Sequence, residues 1–221
     1  MALNLTKAEI VEQIDSERRE NNAKFISPAQ TLRLLNRSIG PILLEPGLRT
    51  ILELQTLTIT SGSNSYALES DFKEVMSLWS GEGTSTGVKF DYKPVEEYNS
   101  TVNGYVYTFR VDGYIEIKCP DTDSLPSTTL KLRYWSTNII LDADGVTKKS
   151  VWVNDEDVCR LKNFDEYFIM WVTARILKRD GKKEWVDYLA QAKEAVGMLK
   201  EQPGSKTTRP RRSFGHYQFN P

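Results

Sequence analysis

The chain has 221 residues and a formal net charge of −1, with 39% hydrophobic and 27% charged residues. This length is enough for one domain with a substantial core, or for one domain with extensions, and the composition is ordinary for a globular protein. No stretch approaches the ~18–20 consecutive apolar residues that would span a bilayer. The N-terminus lacks the basic start and apolar stretch of a signal peptide, so we expect synthesis in the cytoplasm and no membrane partner.

Charge is distributed unevenly along the chain. Residues 203–221 contain four basic residues and no acid, which leaves a charge of −5 on residues 1–202. The same segment contains three aromatic residues and has neither helical nor strand periodicity. Aromatic and arginine side chains are frequent anchors of protein interfaces. The pattern therefore predicts an extended tail that orders on a partner.

Two helices are predicted near the N-terminus. Thr6 and Glu9 form a capping-box pattern before a helix that runs from Lys7 to about residue 21. The dipeptide Ser27-Pro28 marks a second helix start, with a hydroxyl at the N-cap and proline at the first helical position. Two dipeptides are candidates for the end of that helix: Gly40-Pro41 and Pro46-Gly47.

From about Leu54 to Val153 the pattern changes to short strands separated by turns. Six or seven such strands predict a small antiparallel sandwich or barrel. This segment lies between helical segments, so helices from both ends of the chain are expected to pack together with the β segment inserted between them. The predicted class is α+β, with a helical domain (1–50 and 154–202), a β domain (51–153) and an extended docking tail (203–221).

One hairpin in this segment can be predicted in register. A three-residue loop that ends at Gly113 sets Phe109 opposite Ile115 and Tyr107 opposite Ile117, which gathers apolar side chains on one face. A two-residue loop would mix apolar and charged residues on both faces. The longer loop is therefore predicted, with Gly113 at positive φ in a bulge.

In the C-terminal third of the chain, the residue pattern predicts a helical hairpin. Asn154 is followed by three acids. Asparagine is a preferred N-cap residue, and acids in the first turn of a helix interact favourably with the positive end of its dipole. An apolar stripe rich in large aromatics then continues at helical spacing to Ile176. Gly181 suits a left-handed helix end, and a second helix with one apolar side is predicted from Trp185.

The residues suggest little catalytic chemistry. His216 is the only histidine, and the two cysteines, Cys119 and Cys159, are expected to be reduced. The segment Asp142-Ala-Asp144-Gly145 lacks the glycine and glutamate spacing of a calcium loop and is predicted to be a plain turn. Nucleotide-binding glycine loops and zinc-ligand clusters do not occur, so no cofactor is expected. The tail arginines are too few to predict nucleic-acid binding with any force, and the five tryptophans are expected in the core or at interfaces.

The order of elements resembles bacteriophage head–tail connector adaptor proteins. The segment LRLLNRSI lies in the N-terminal helices, and SYALESDFKEVMSLW resembles the family's Y-x-L-P-x-D-F turn, with Glu69 where proline is common. Further on, DGYIEIKCP and LKLRYWS resemble the pattern G-x-I-x-I-x-P followed by L-x-L-x-Y-Y. The resemblance extends from about Lys7 to Gln202.

This resemblance implies a structural role in the virion, at the head–tail interface. Such adaptors form a dodecameric ring that docks on the portal protein, extends the DNA channel without specific DNA binding, and offers a surface to a downstream tail or stopper protein. By position, the tail would enter the portal. The portal-binding residues that the resemblance implies are Arg209, Arg211, Arg212, Phe214, His216, Tyr217 and Phe219.

Two alternatives of other classes stay open at the level of sequence. One is a carboxylate-based cell-wall hydrolase, because sequence does not show the separation of two acids in space. The other is a β-sandwich ligand-binding module of a virion, which would need exposed, coplanar tryptophans.

Overall fold

The computed structural model describes residues 4–45, 50–60, 63–120, 125, 127–162 and 164–200, without the side chains of residues 199 and 200. Over these residues the fold is mixed α+β, in agreement with the predicted class. The helices are α1 (Lys7–Glu20), α2 (Pro28–Leu44), α3 (Val95–Ser100), α4 (Asp165–Arg179) and α5 (Trp185–Lys200). The strands are β1 (Ile51–Thr58), β2 (Ser65–Ala67), β3 (Phe72–Ser80), β4 (Val88–Tyr92), β5 (Val106–Phe109), β6 (Tyr114–Lys118), β7 (Thr129–Ser136), β8 (Ile140–Leu141), β9 (Lys148–Lys149) and β10 (Val158–Cys159). A helix with the length and apolarity needed to cross a membrane does not occur within these ranges.

Both N-terminal helices begin where their capping patterns predicted. The Thr6 hydroxyl accepts a hydrogen bond from the Glu9 amide, and the Glu9 carboxylate accepts one from the Thr6 amide at 2.7 Å. Ser27 and Gln30 repeat this reciprocal arrangement at the start of α2, with Pro28 at the first helical position. Each capping box satisfies backbone donors that have no partner inside the helix.

The end of α2 differs from one of its two predicted positions. The helix does not stop at Gly40-Pro41 but continues to Leu44. Proline removes an amide donor and crowds the carbonyl four residues earlier, but Ile42, just beyond it, is 1% exposed in the core. Complete burial of an isoleucine contributes about 1.5–3 kcal/mol, enough to offset a proline in the last turn. The other predicted end, Pro46-Gly47, lies outside the described residues.

The long C-terminal helix begins at Asp165, so the prediction that Asn154 caps it is wrong. The reason is Asp157, whose buried carboxylate accepts the amides of Val153 and Asn154 at 2.6 and 2.9 Å. These bonds fold the chain back on itself instead of starting a helix. The next residues, Val158–Cys159, then pair as strand β10 with β8.

The predicted break between the last two helices is confirmed. Gly181 has φ 72°, in the left-handed region. The amide of Lys182 donates to the carbonyl of Leu177 at 3.0 Å, and the amide of Gly181 donates to that of Lys178 at 3.2 Å. This pair of bonds is a Schellman motif, which satisfies the last carbonyls of a helix. The predicted second helix follows and begins at Trp185.

Seven strands form one sheet in the order β1-β7-β3-β4-β5-β6-β2, and a small second sheet has the order β10-β8-β9. Neighbouring strands run antiparallel except β4 and β5, which are parallel. The prediction of a purely antiparallel β segment is therefore wrong at this pair. A parallel pair needs a crossover connection, and the connection between β4 and β5 contains the short helix α3, which was not predicted.

The β5–β6 hairpin has the predicted register. Tyr107 lies opposite Ile117 and Phe109 lies opposite Ile115. Gly113 has φ 83° and ends a three-residue loop, so the predicted longer turn is confirmed.

The second face of this hairpin is less exposed than the pattern suggested. Thr108 lies on it and is 1% exposed. Helix α3 packs against β5, and the Lys118 ammonium lies 4.5 Å from the centre of the Tyr98 ring. The crossover helix therefore covers part of a face that the alternation alone assigns to solvent.

The seven-stranded sheet curls until its two edge strands meet. The Gln55 side-chain amide on β1 donates to the Ala67 carbonyl on β2 at 2.9 Å, and its oxygen accepts the Glu69 amide at 3.3 Å. The edges are thus joined through one side chain, whereas backbone pairing between β1 and β2 is not seen among the described strands.

The buried apolar residues form two clusters. The larger contains the inner faces of the four long helices, including the aromatic stripe of α4, and also Ile140 and Trp152 from the end of the β segment. The smaller fills the inside of the curled sheet. Helices from the two ends of the chain therefore share one core, as expected.

Candidate docking surfaces

The residues predicted to bind a partner lie in the C-terminal tail. All of them, from Arg209 to Phe219, are outside the described residues, so their role stays a prediction. What the structure does describe is the helix from which the tail continues, the chemistry available on the body, and the surfaces left exposed.

Helix α5, which precedes the tail, is attached firmly to the rest of the chain. Ala192 on its inner side is 1% exposed. The Tyr188 hydroxyl is hydrogen-bonded to Glu17 of α1 and to Asn21, which follows that helix. Burial and the bond to Glu17 raise the pKa of Tyr188. At the helix start, the Lys178 ammonium lies 4.6 Å from the centre of the Trp185 ring. The tail therefore begins from a fixed support.

The acid of the SYALESDF segment has a structural role. Asp71 is buried, and its carboxylate accepts hydrogen bonds from the hydroxyls of Tyr134 and Ser136 on β7. Its carbonyl accepts the Thr137 amide at 2.7 Å. Burial and the bond to Asp71 raise the pKa of Tyr134. Both carboxylate oxygens thus hold the turn before β3 against the neighbouring strand.

The Asp142–Gly145 segment is a turn between β8 and β9, as predicted. The Thr147 hydroxyl and the amides of Thr147 and Val146 donate to the Asp144 carboxylate, the amides at 2.7 and 2.8 Å, and these bonds lower the pKa of Asp144. Asp142 pairs with Lys149 at 2.7 Å. Across the described part of the chain, no group of three or more histidine, cysteine or acidic side chains is arranged to hold a metal.

The two cysteines are both free thiols. Cys159 is 2% exposed in β10, and burial raises the pKa of its thiol. A nucleophilic cysteine needs the opposite shift and an accessible sulfur, so Cys159 is a core residue.

One groove is lined by two acids, which bears on the hydrolase alternative. Glu12 and Asp15 lie along a groove of about 320 Å³ between α1 and the start of α2. Asp15 is bound by Arg18 and Arg19, each at 2.5 Å, and the hydrogen bond from Arg18 lowers its pKa. A glycosidase acid needs a raised pKa, so this pair does not favour glycoside hydrolysis.

A charged cluster joins the curled sheet to the helical side. Glu53 on β1 binds Arg160 at 2.5 Å and Lys148 at 2.7 Å. Burial alone would raise the pKa of Glu53, but the hydrogen bonds from Lys148 and Arg160 outweigh it and lower the pKa. The side chain is 14% exposed, so this cluster is a sheltered connection and not a binding site.

Two exposed apolar surfaces were not predicted from the sequence. The outer side of β1 and β3 carries Leu52, Leu54 and Met76, which are 38%, 52% and 52% exposed. The groove beside α1 is bordered by Phe25, which is 73% exposed. Two features of the sequence could have indicated these surfaces. One is the alternation of residues along the strand around Leu54, and the other is Phe25, a single aromatic residue between two predicted helices.

These features define a class of protein. Within the described residues the buried acids and the buried thiol of Cys159 serve the fold. Apolar side chains remain exposed where other proteins could cover them. That is the profile of a structural protein that works through contacts with other macromolecules.

The particular family follows from comparison with known proteins. A family model described as SU10 adaptor protein matches residues 7–214, so the chain belongs to this family of phage adaptors. No curated protein matches the chain. The family is structural and not enzymatic, and a place in the virion follows for this chain.

Proposed function

We propose that the chain forms a dodecameric ring in the phage head–tail connector, docks on the portal protein, extends the DNA channel and presents a surface to a downstream tail or stopper protein. DNA passes through the ring without specific binding. The charge of −5 on residues 1–202 is compatible with such passage, because a mildly acidic wall repels phosphate.

The observation that carries this proposal is the family match to residues 7–214. It reaches beyond the described helices and includes the tail arginines and Phe214. Interaction with other structural proteins of the virion is what membership in the family implies. The ring, the portal and the channel are our more specific proposal.

We assign portal docking to the tail. Arg209, Arg211 and Arg212 would pair with portal carboxylates, and guanidinium groups suit such pairs because they bind carboxylates in a two-point geometry. Aromatic side chains would fill apolar pockets, as anchors of interfaces do. The aromatic and histidine residues in this role are Phe214, His216, Tyr217 and Phe219.

The proposal includes a division of labour within the chain. The helical domain (1–50 and 154–202) would support the tail, the β domain (51–153) would project from it, and residues 203–221 would bind. The separate apolar clusters of the helices and the curled sheet support this division. The anchored helix α5 supports it too, because a docking tail needs a fixed starting point.

The test is a truncation after Gln202, examined with purified portal protein. The shortened chain should keep its far-UV circular dichroism and thermal midpoint but lose co-sedimentation with the portal. A full-length chain with Phe214, Tyr217 and Phe219 changed to serine should behave likewise. Lys206→Ser is the control with one charge removed and all aromatics kept, and it should still dock. Undiminished docking of the truncated chain would show that the tail is not the anchor.

A further inference from the structure

The outer side of the sheet bears an apolar surface, which we call the outer face. Its members Leu52 and Leu54 on β1 and Met76 on β3 are each more than one third exposed. Two half-buried tryptophans extend it, because Trp135 lies opposite Leu52 and Trp79 lies on the neighbouring strand. Two outward leucines on an edge strand favour association unless something covers them.

The groove beside α1 is a second apolar surface, concave where the outer face is raised. Val11, Phe25 and Pro28 are among its lining residues. Phe25 is 73% exposed and sits below Arg18, whose guanidinium carbon is 5.7 Å from the ring centre. An exposed phenylalanine beside an open groove is typical of an interface anchor.

The rims of these two surfaces carry opposite unpaired charges. Lys131 and Lys89 flank Trp79 from its two neighbouring strands. Glu12 lies on the rim of the groove and is exposed. Among the described residues none of these three charges forms an ion pair, unlike Arg133 on the outer face, which binds Glu82 at 2.8 Å.

We infer that the outer face of one subunit packs into the α1 groove of the next copy of this chain. This inference rests on the proposed ring and names its subunit contact. A ring requires a head-to-tail contact between two different surfaces of the same chain. The outer face and the groove are two such surfaces: both are apolar, Lys131 and Lys89 lie at one end of the first, and Glu12 lies on the rim of the second.

A symmetric contact would not build a ring. When the outer faces of two copies meet, or their two grooves, the assembly closes as a dimer. The head-to-tail contact leaves one outer face and one groove free for the next copies, and it sets Lys131 and Lys89 near Glu12. Glu74 lies opposite Trp135, at the far end of the outer face from these lysines.

The test uses engineered disulfides in the full-length chain assembled with portal protein. Cys119→Ser removes the less buried native thiol. In that background, Phe25→Cys together with Leu54→Cys should give a ladder of covalent dimers, trimers and larger species. Neither single cysteine variant should give a ladder. The control pair is Phe25→Cys with Val111→Cys, since Val111 is fully exposed at a hairpin tip and belongs to neither surface, and it should give none.

Charge reversal provides an independent measurement. Glu12→Lys should lower the fraction of chain in ring particles about tenfold, because a small loss repeats at every contact of a closed ring. Lys131→Glu should act in the same direction, and the double variant should recover much of the loss.

The outcomes separate the two proposals. If the unaltered chain forms no multi-copy particle with the portal, the proposed function fails. If it forms the particle and the cysteine pair gives no ladder, only this contact is overturned. Dimers from Leu54→Cys alone would replace the head-to-tail contact by a symmetric one, and a disulfide between that cysteine and the portal protein would assign the outer face to the portal.

Discussion

Replacing Asp157 by alanine should be among the most destabilising single changes outside the apolar core. This carboxylate is 0% exposed and holds the segment that the sequence pattern had placed in a helix. It accepts the amides of Val153 and Asn154 and pairs with the Lys149 ammonium at 3.0 Å. Alanine would leave two sheltered backbone donors and one partly buried ammonium without this partner.

The expected size follows from these contacts. Removing this carboxylate leaves two part-buried backbone amides without their acceptor, at about 1–3 kcal/mol each, whereas the Lys149 ammonium keeps its ion pair with Asp142 at 2.7 Å. Asp155 is the matched control two residues earlier. It pairs with Lys7 at 2.9 Å, but its side chain is 76% exposed, and exposed pairs contribute about 0–1 kcal/mol. Asn154→Ala should change stability by less than about 0.5 kcal/mol, because the residue is exposed and caps no helix.

The assay is urea unfolding followed by circular dichroism and tryptophan fluorescence, with the free energy of unfolding obtained by linear extrapolation. The account expects Asp157→Ala to lower this free energy by several times the loss from Asp155→Ala. Equal losses for the two aspartates, or a loss near 1 kcal/mol for Asn154→Ala as removal of an N-cap would give, would refute the described loop and restore the helix start.

Two further predictions concern charge and backbone. Glu53→Gln should cost about 1–3 kcal/mol at pH 7 by weakening charged hydrogen bonds to Arg160. Because the folded pKa of Glu53 is lowered, its stabilisation is complete above the unfolded pKa of roughly 4.3 and is lost as pH falls through the folded value. The gap between wild type and variant in urea melts should therefore close on acidification, and a gap independent of pH would contradict the ion pair. Gly113→Ala should cost about 1–2 kcal/mol, since φ 83° strains an L side chain while the space around it is open. Gly113→Asn should cost less in thermal melts, and equal losses would point to crowding instead.

The local part of the fold could be predicted from sequence. Capping boxes act within four residues, so Thr6 and Ser27 marked their helices correctly. The β5–β6 register followed from one requirement, that the apolar side chains share a face, and Gly113 supplied the backbone conformation. These predictions were correct because each depends only on residues that are close together in the sequence.

The errors came from contacts that the local sequence pattern does not indicate. Asn154 has the composition of an N-cap, but Asp157 is drawn toward Lys149 and the preceding amides, and Val158 pairs with Leu141. The parallel pairing of β4 and β5 depends on a crossover that carries no strong local pattern.

Among the candidate surfaces, the tail could be predicted from the sequence, whereas the outer face and the groove could not. The tail was recognisable by composition, because four basic and three aromatic residues in nineteen are unusual without an acid. The outer face needed the strand order, since Leu54 is exposed because its side of β1 faces away from the inside of the curled sheet. The groove needed the packing of α1 against the start of α2.

The central claim is that this chain is held between neighbours in the virion by its basic, aromatic end. Electron cryomicroscopy of the intact particle tests it most directly. The account predicts a closed ring of this chain beneath the portal, with residues 203–221 in contact with portal side chains. A chain found elsewhere in the particle, or a ring whose last nineteen residues touch no other molecule, would contradict it.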